Sequence, residues 1–317
     1  ILYSSVMAKL QPIFKEYISY VTTYKEKYGE QTVVLMQVGS FYEIYAILND
    51  NEKLGEINIY HICQNLMNIS VANKTSHILM GGFQLPYSSK FIKLLIDHNY
   101  TVVLVHQVSE PPNPERKVTD IISPGTYIED FNGESNNYMM SVYIEQISSW
   151  TAVGISIIDI STGKNYVYQI GENLDTNYWK DELNRLISYY APKEFLFQLH
   201  NMILTKDDII NYWDIQNATV QLNHYSDSTY ESVSYQNELL QKVFELETLL
   251  TPIDQLGLIH KHELRKSYIY MLQYINEHKV DLLRNINLPE DIDNIHHLSL
   301  TSNSVRQLNV INNYSYY

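Results

Sequence analysis

The sequence predicts a multi-domain α/β protein with three parts: a small mixed α/β domain (residues 1–130), a second α/β domain (131–229) and an α-helical segment (230–317). Three observations predict this class. A length of 317 residues is enough for about two or three domains. Short β-branched runs alternate with helical patterns up to residue 222, and from Tyr230 onward only helical patterns remain.

The first domain is predicted to open with a helix over residues 9–28, whose apolar positions follow helical spacing. Pro12 is tolerated there because it falls in the first turn. Residues 32–38 are apolar and β-branched, as in a buried strand. Gly39-Ser40 then suits a two-residue hairpin turn, since glycine readily adopts a positive φ, and the chain returns as a strand through residues 41–45.

The same rules assign the rest of the first domain. The predicted elements are a helix over residues 57–67, a strand over 77–83, a helix after Pro86 with Ser88 as its N-cap, and strands over 100–108 and 116–122.

The second and third parts follow a polar stretch, residues 131–137, that is predicted to be a linker. Three strands, a helix, a strand, a helix and a last strand describe a ribonuclease H-like α/β unit. The predicted ranges are strands 138–147, 150–160 and 164–170, helix 177–190, strand 194–199, a helix from its Thr205 cap to residue 212, strand 219–222, then helices 238–250 and 256–277 and a helix start at 304–309.

Composition excludes several classes of protein. A hydrophobic content of 45% disfavours global disorder, and no run approaches the length of a membrane span. No secretory signal is visible at the start of the chain. The single cysteine, Cys63, excludes an internal disulfide and a cysteine-based zinc cluster, which predicts an intracellular, reducing compartment and leaves nucleus, cytoplasm and organelles open.

The net charge of −14 argues against strong non-specific DNA binding, because lysine and arginine supply most of that affinity by neutralising phosphates. The charge is uneven, however. Residues 1–130 carry −3, residues 131–230 carry −7 and residues 231–317 carry −4. The first domain is therefore the part best suited to approach a polyanion, although we expect the chain alone to bind duplex DNA weakly.

The hairpin around Gly39 carries the main candidate site. Side chains alternate across a strand, so Phe41 and Glu43 share one face while Tyr42 points to the other and packs beneath the hairpin. An aromatic ring and a carboxylate beside a tight turn form a small projecting site. The alternative is an ordinary hairpin in which Phe41 is a core residue and Glu43 is solvated.

Gly39-Ser40-Phe41-Tyr42-Glu43 resembles the Gly-x-Phe-Tyr-Glu motif of the MutS family of DNA mismatch-recognition proteins. Further segments resemble this family in the same order and spacing. They are Met80-Gly81-Gly82-Phe83 with Pro86-Tyr87, Arg116-Lys117-Val118-Thr119-Asp120-Ile121-Ile122-Ser123-Pro124-Gly125-Thr126, Gly154-Ile155-Ser156-Ile157-Ile158-Asp159-Ile160-Ser161-Thr162-Gly163 and Arg306-Gln307-Leu308-Asn309.

The resemblance implies a mismatch-binding domain over 1–130, a connector over 131–229 and the beginning of a helical core over 230–317. It implies that Phe41 wedges into the duplex and stacks on a mispaired base, and that Glu43 hydrogen-bonds that base. Double-stranded DNA with mismatches is the expected partner. Gly39 and Ser40 complete the predicted site, and the cationic Lys74, Arg116 and Lys117 are candidates for phosphate contacts, with plain solvation as their alternative.

Three departures from the family pattern qualify the resemblance. Ser40 stands where many members have Asp, and His106 replaces a usual Glu. The nucleotide-binding motif Gly-x-x-x-x-Gly-Lys-Ser/Thr is missing, because Gly163-Lys164 has neither the preceding Gly nor the following hydroxyl residue. We therefore expect the amino-terminal part of a longer protein, with no catalytic residue and no cofactor in this segment.

The resemblance also implies properties of that longer protein. ATP and magnesium are expected to act through a carboxy-terminal domain, and self-association through distal domains. Downstream repair factors are expected to meet the connector.

Two other functions remain open. A metal-dependent nuclease could use Asp159 on the ribonuclease H-like unit, with further carboxylates at Asp181, Glu182, Asp207 and Asp208. The −7 charge of that region disfavours a polyanionic substrate, and Asp159 could instead stabilise the turn that follows it. A MutS relative that binds branched DNA is the third possibility, against which Phe41 and Glu43 both count. His260, His262 and His296-His297 lack a partner set with metal spacing, so no metal site is predicted.

Overall fold

The computed structural model describes residues 10–48, 53–75, 77–110, 114–128, 137–171, 177–224 and 230–292. The chain divides into two compact units, Ile1–Tyr127 and Ile128–Tyr317. The mixed α/β class is confirmed in both of them, since each contains a sheet with parallel and antiparallel pairs. Nearly all of the predicted linker, residues 131–136, lies outside the described residues.

The first unit is built on a seven-stranded sheet with the order β4-β5-β2-β1-β6-β7, in which β3 pairs with β2. Its strands are β1 (Thr32–Val38), β2 (Phe41–Leu48), β3 (Lys53–Gly55), β4 (Ala72–Thr75), β5 (Ile78–Gln84), β6 (Thr101–Gln107) and β7 (Arg116–Ile122). The pair β1–β6 is parallel and the other described pairs are antiparallel.

Helices cover both faces of this sheet. They are α1 (Pro12–Tyr28), with Pro12 in its first turn as predicted, and α2 (Ser88–Asp97), with a π-helical segment at His61–Leu66 and a 3-10 turn at Leu85–Tyr87. Phe14 and Tyr17 of α1 pack edge-to-face on Tyr45 of β2, with ring centroids 5.1 and 5.3 Å apart. On the other face Phe91 of α2 contacts Phe83 of β5 at 4.5 Å. Strand β2 therefore has a core on each side.

Some predictions for the first unit are wrong in detail. The short strands β3 and β4 were not predicted, and the helix expected over 57–67 is mainly the π-helical segment. Ser88 is not an N-cap: it already has helical φ and ψ of −57° and −46°, since the 3-10 turn before it runs directly into α2. Tyr87 is the N-cap, without a side-chain hydrogen bond.

The second unit has a six-stranded sheet with the order β12-β11-β8-β9-β10-β13. Its strands are β8 (Tyr138–Ile147), β9 (Trp150–Asp159), β10 (Lys164–Ile170), β11 (Glu194–His200), β12 (Thr219–His224) and β13 (Glu290–Asp291). Strands β8, β9 and β10 form an antiparallel meander, and β11 and β12 add to it in parallel. The predicted order of elements is present, and assignment to the ribonuclease H-like class stays a prediction.

The helices of this unit are α3 (Tyr178–Tyr190), α4 (Lys206–Trp213), α5 (Val233–Phe244), α6 (Pro252–Gln255) and α7 (His262–His278), followed by a 3-10 segment at Val280–Asn285. The predicted cap of α4 is confirmed. The Thr205 hydroxyl accepts from the backbone N–H of Asp208 at 3.1 Å, and the Asp208 carboxylate accepts from the backbone N–H of Thr205 at 2.9 Å.

The region after residue 230 differs from its prediction in three ways, the first being that α5 spans Val233–Phe244 instead of residues 238–250. Helix α7 begins at His262 rather than at residue 256, because residues 256–261 form turns, and β13 adds a strand where none was expected. Helix α7 packs on the second sheet: the Ser267 hydroxyl donates to the Ser141 carbonyl at 2.9 Å. The described part of this region thus belongs to the second unit. The helix start predicted at 304–309 lies outside the described residues.

Candidate nucleic-acid interface

The predicted hairpin is confirmed residue by residue. Val38 pairs with Phe41 across the two-residue turn Gly39-Ser40, and Gly39 has φ +61° while Ser40 is not among the positive-φ residues. This combination is that of a type II′ turn, whose first central position favours glycine. The turn is tied to the 3-10 turn that follows β5, since the backbone N–H of Leu85 donates to the Ser40 carbonyl at 3.0 Å.

Phe41 lies at the exposed end of this hairpin. It is 39% exposed, whereas the next residue, Tyr42, is 4% exposed. The predicted alternation of faces explains this contrast, and it places Tyr42 beneath the hairpin as expected. Phe41 is therefore not a core residue, and part of its surface is open to solvent.

Tyr42 forms part of a polar contact on the opposite face. Its hydroxyl hydrogen-bonds His106 Nε2, and Thr119 Oγ1 lies 3.1 Å from His106 Nδ1. Burial, followed by the nearby Asp120 carboxylate, raises the pKa of Tyr42 to about 12. His106, the departure noted in the sequence, thus supports the underside of the hairpin through Tyr42.

Glu43 is held on the same face as Phe41 by two partners. Its Oε2 accepts from Lys74 Nζ at 2.7 Å and from the Tyr45 hydroxyl. Burial raises the pKa of Tyr45 well above its ordinary value, and the hydrogen bond to Glu43 raises it further. Tyr45 is therefore a protonated donor throughout the physiological range. The Glu43 side chain retains 13% exposure.

Space for this arrangement comes from Gly82, which pairs with Glu43 across β2 and β5. A Cβ atom at Gly82 would lie 2.7 Å from the Tyr42 carbonyl oxygen and 3.4 Å from Glu43 Cγ. Tyr45 was not predicted as a site residue. The signal was present, because Tyr45 follows Glu43 by two positions and so shares its face of the strand.

The three candidate cations have different surroundings. Lys74 lies on the edge strand β4 and pairs with Glu43. Lys117 is 62% exposed and pairs with Glu115 at 3.1 Å. The Arg116 side chain is 8% exposed: its Nε donates to the Gln37 carbonyl at 3.0 Å and its guanidinium pairs with Glu16 at 3.3 Å. Arg116 thus braces α1, β1 and β7, and this geometry does not support a phosphate contact.

The carboxylates of the nuclease hypothesis do not form a metal site among the described residues. Those residues contain no group of three His, Cys, Asp or Glu side chains that could hold a metal ion. Asp159 is fully buried, and its Oδ1 accepts from the backbone N–H of Ser161 at 3.0 Å and from the Ser161 hydroxyl. Glu182 pairs with Arg185 at 2.9 Å. Asp159 therefore stabilises the turn after β9, as its structural alternative predicts. Within the same residues no helix has the length and apolarity of a membrane span.

Comparison with known proteins gives a consistent result. Residues 15–131 match the family model described as MutS domain I. A mutS homolog of Acanthamoeba polyphaga mimivirus is 30% identical, over 96% of this chain and 30% of its own length. The DNA mismatch repair protein MutS of Caldanaerobacter subterraneus is 26% identical, over 95% of this chain and 32% of its own length. The chain thus spans about a third of these relatives.

A solved structure also aligns, the Fowlpox virus resolvase with its Holliday junction substrate. It shares 18% identity and a TM-score of 0.27, over 44% of this chain and 97% of that one. A likeness at this level carries no argument about fold or activity.

Proposed function

We propose, from the premise that this chain belongs to the MutS family, that it recognises mismatched or unpaired bases in duplex DNA with Phe41 as an aromatic wedge. One observation carries the proposal. Phe41 is exposed at a hairpin tip, on the same strand face as a carboxylate that is fixed by Lys74 and Tyr45. A residue that stacks on a base must be accessible at the surface, and the exposure of Phe41 supports this role.

Selectivity comes from the energetic balance of the wedge. Stacking of a base on an aromatic side chain is worth about 1–3 kcal/mol and depends little on base identity. Inserting a wedge costs a few kcal/mol of unstacking, and bending the site adds roughly 1–6 kcal/mol. In a matched duplex these costs offset the gain. At a mismatch the pairing is already weakened, so the wedge enters where base pairing has failed.

Glu43 supplies a second filter. A carboxylate near phosphates is unfavourable unless it gains a hydrogen-bond donor. A displaced base exposes the donors of its base-pairing edge, whereas in an intact duplex those donors are already paired. Glu43 therefore penalises matched DNA more than mismatched DNA.

The proposal for this chain is recognition without catalysis. ATP hydrolysis with magnesium, self-association and contact with repair factors through the second unit are proposed for a longer protein, in keeping with the fraction of each relative that this chain spans.

The proposal is tested by fluorescence anisotropy of the full chain with matched and single-mismatch duplexes at low ionic strength. Phe41→Ala is expected to lower mismatch affinity about 10- to 100-fold, the loss of one stacked base, and to abolish the preference. Glu43→Ala is expected to raise matched-duplex affinity. Tyr60→Ala is a matched control, because Tyr60 is another exposed aromatic residue of the first unit, 46% exposed.

Two results would contradict the proposal. One is a mismatch preference in Phe41→Ala equal to that of the unmodified chain. The other is a lack of preference in the unmodified chain itself.

A further inference from the structure

Among the described residues, the partners of Glu43 bind one of its two carboxylate oxygens. Oε2 accepts both described hydrogen bonds, from Lys74 and from Tyr45. Within the described part of the chain, Oε1 accepts none from a side chain or backbone group. A carboxylate oxygen without a partner can still accept a hydrogen bond from a ligand. The arrangement fixes the side chain while presenting one acceptor.

The two anchors differ in character. Tyr45 is rigid, since it is 2% exposed and its ring packs against Phe14 and Tyr17 of α1. Lys74 lies on the exposed edge strand β4, where its side chain is 35% exposed, and its ammonium also donates to the Tyr45 hydroxyl at 3.1 Å. Tyr45 can therefore set the position of the carboxylate, whereas Lys74 contributes mainly its charge.

We propose that Lys74 and Tyr45 divide the control of Glu43, so that Tyr45 fixes its orientation and Lys74 sets how strongly its charge opposes intact duplex. Lys74 is then a specificity-determining residue rather than the phosphate contact predicted from the sequence. This inference rests on the proposed function, because it assigns regulation of the same site.

The two roles predict opposite effects on discrimination. Without the Lys74 ammonium the full carboxylate charge faces the duplex. In a matched duplex the donors of the base-pairing edges are already used and cannot offset that charge, so matched affinity falls more than mismatched affinity. Without the Tyr45 hydroxyl the charge pair remains, but the acceptor is no longer oriented. Mismatched affinity then falls while matched affinity is kept.

The test measures the ratio of mismatched to matched affinity by fluorescence anisotropy of the full chain with labelled duplexes. Lys74→Met is expected to raise the ratio about two- to fivefold, the range for one exposed ion pair, and Tyr45→Phe to lower it by a similar factor. Lys74→Arg keeps the charge and should keep the ratio. Lys53→Met is the charge-matched control from β3 and should leave the ratio unchanged, because Lys53 is exposed and distant in the sheet pairing from Glu43.

An equal loss of affinity for both duplexes in Lys74→Met, with the salt dependence reduced by about one phosphate contact, would overturn the inference. So would a shift of the ratio in the same direction by Lys74→Met and Tyr45→Phe. Thermal unfolding verifies that Tyr45→Phe folds. If it does not fold, the role of Lys74 is decided by comparing the affinity ratios of Lys74→Met and Lys74→Arg.

Phe41→Ala, measured in parallel, separates the two proposals. Retained mismatch preference in Phe41→Ala defeats the proposed function. Loss of preference in Phe41→Ala, together with an unchanged ratio in Lys74→Met, defeats only the role of Lys74.

Discussion

Two strand carboxylates, Glu43 in the first unit and Asp159 in the second, have opposite surroundings. The Glu43 side chain is 13% exposed, with one oxygen anchored and an exposed aromatic ring two residues away. Asp159 is fully buried and binds Ser161 in its own turn. Each carboxylate is anchored through one oxygen, but Asp159 Oδ2 is buried without a hydrogen-bond partner in the described part of the chain, whereas the Glu43 side chain reaches the surface, so burial separates the two.

The cause is local in both cases. The turn before Glu43 closes without that carboxylate, because Gly39 supplies the positive φ and the Gln37 side-chain amide donates to the Gly39 carbonyl at 3.1 Å. The turn after Asp159 is longer, and it closes when the Gly163 backbone N–H donates to the Asp159 carbonyl at 2.8 Å while the carboxylate caps Ser161. The first turn does not use the neighbouring carboxylate, whereas the second turn is stabilised by its own.

The largest expected change in stability is at Asp159. Asp159→Ala removes the acceptor for Ser161 and should lower the free energy of unfolding of the second unit by about 1–3 kcal/mol, the cost of an unmade buried hydrogen bond. Asp159→Asn retains one accepting oxygen and should cost less. Mismatch preference should be unchanged in both, as measured by calorimetry and duplex binding.

Asp181→Asn is a suitable control, because Asp181 is an exposed carboxylate in the first turn of α3. The comparison fails if the unmodified chain cleaves DNA with magnesium and both Asp159 variants lose that cleavage. Asp159 would then act in metal chemistry as well as in its turn.

A smaller loss of stability is expected at Gly39, in the turn before Glu43. Gly39→Ala places a Cβ atom on a residue with φ +61° and should destabilise the first unit by about 1 kcal/mol. It should also reduce mismatch preference, because the hairpin tip carries Phe41. Gly171→Ala is the matched control, since a Cβ atom at Gly171 meets no atom of the described residues within 4 Å and Gly171 has no positive φ.

An equal loss of stability in Gly39→Ala and Gly171→Ala, measured by thermal unfolding, would show that the Gly39 turn conformation does not matter. Unchanged mismatch preference in a destabilised Gly39→Ala would separate the turn from recognition.

Much of the fold follows from the sequence, because strong local patterns determine it. The strands at Thr32–Val38, Arg116–Ile122 and Tyr138–Ile147 have the predicted bounds. Each is a β-branched or apolar run between turn residues. The Thr205 cap was also predictable, since a capping box requires only residues that are close in sequence.

The part of the candidate site that the sequence did not predict depends on contacts between residues far apart in the chain. Lys74 and Glu43 are separated by 31 positions and meet because β4 and β2 both flank β5. Strand β4 is short, polar and exposed, so no apolar pattern in the sequence predicts it. Without that strand the sequence could name Lys74 as a cation but could not pair it with Glu43. The contacts of Arg116 with Gln37 and Glu16 could not be predicted for the same reason, because they join residues far apart in the chain.

The central claim, that Phe41 enters the duplex where base pairing has failed, is tested most directly by photo-crosslinking. A duplex carries 5-iododeoxyuridine at the mismatched position, is irradiated with the full chain, and the crosslinked residue is mapped by mass spectrometry. We expect a crosslink at Phe41 with the mismatched duplex and none there when the same base is correctly paired. A crosslink in the second unit instead, or one at Phe41 of equal yield in both duplexes, would contradict the claim.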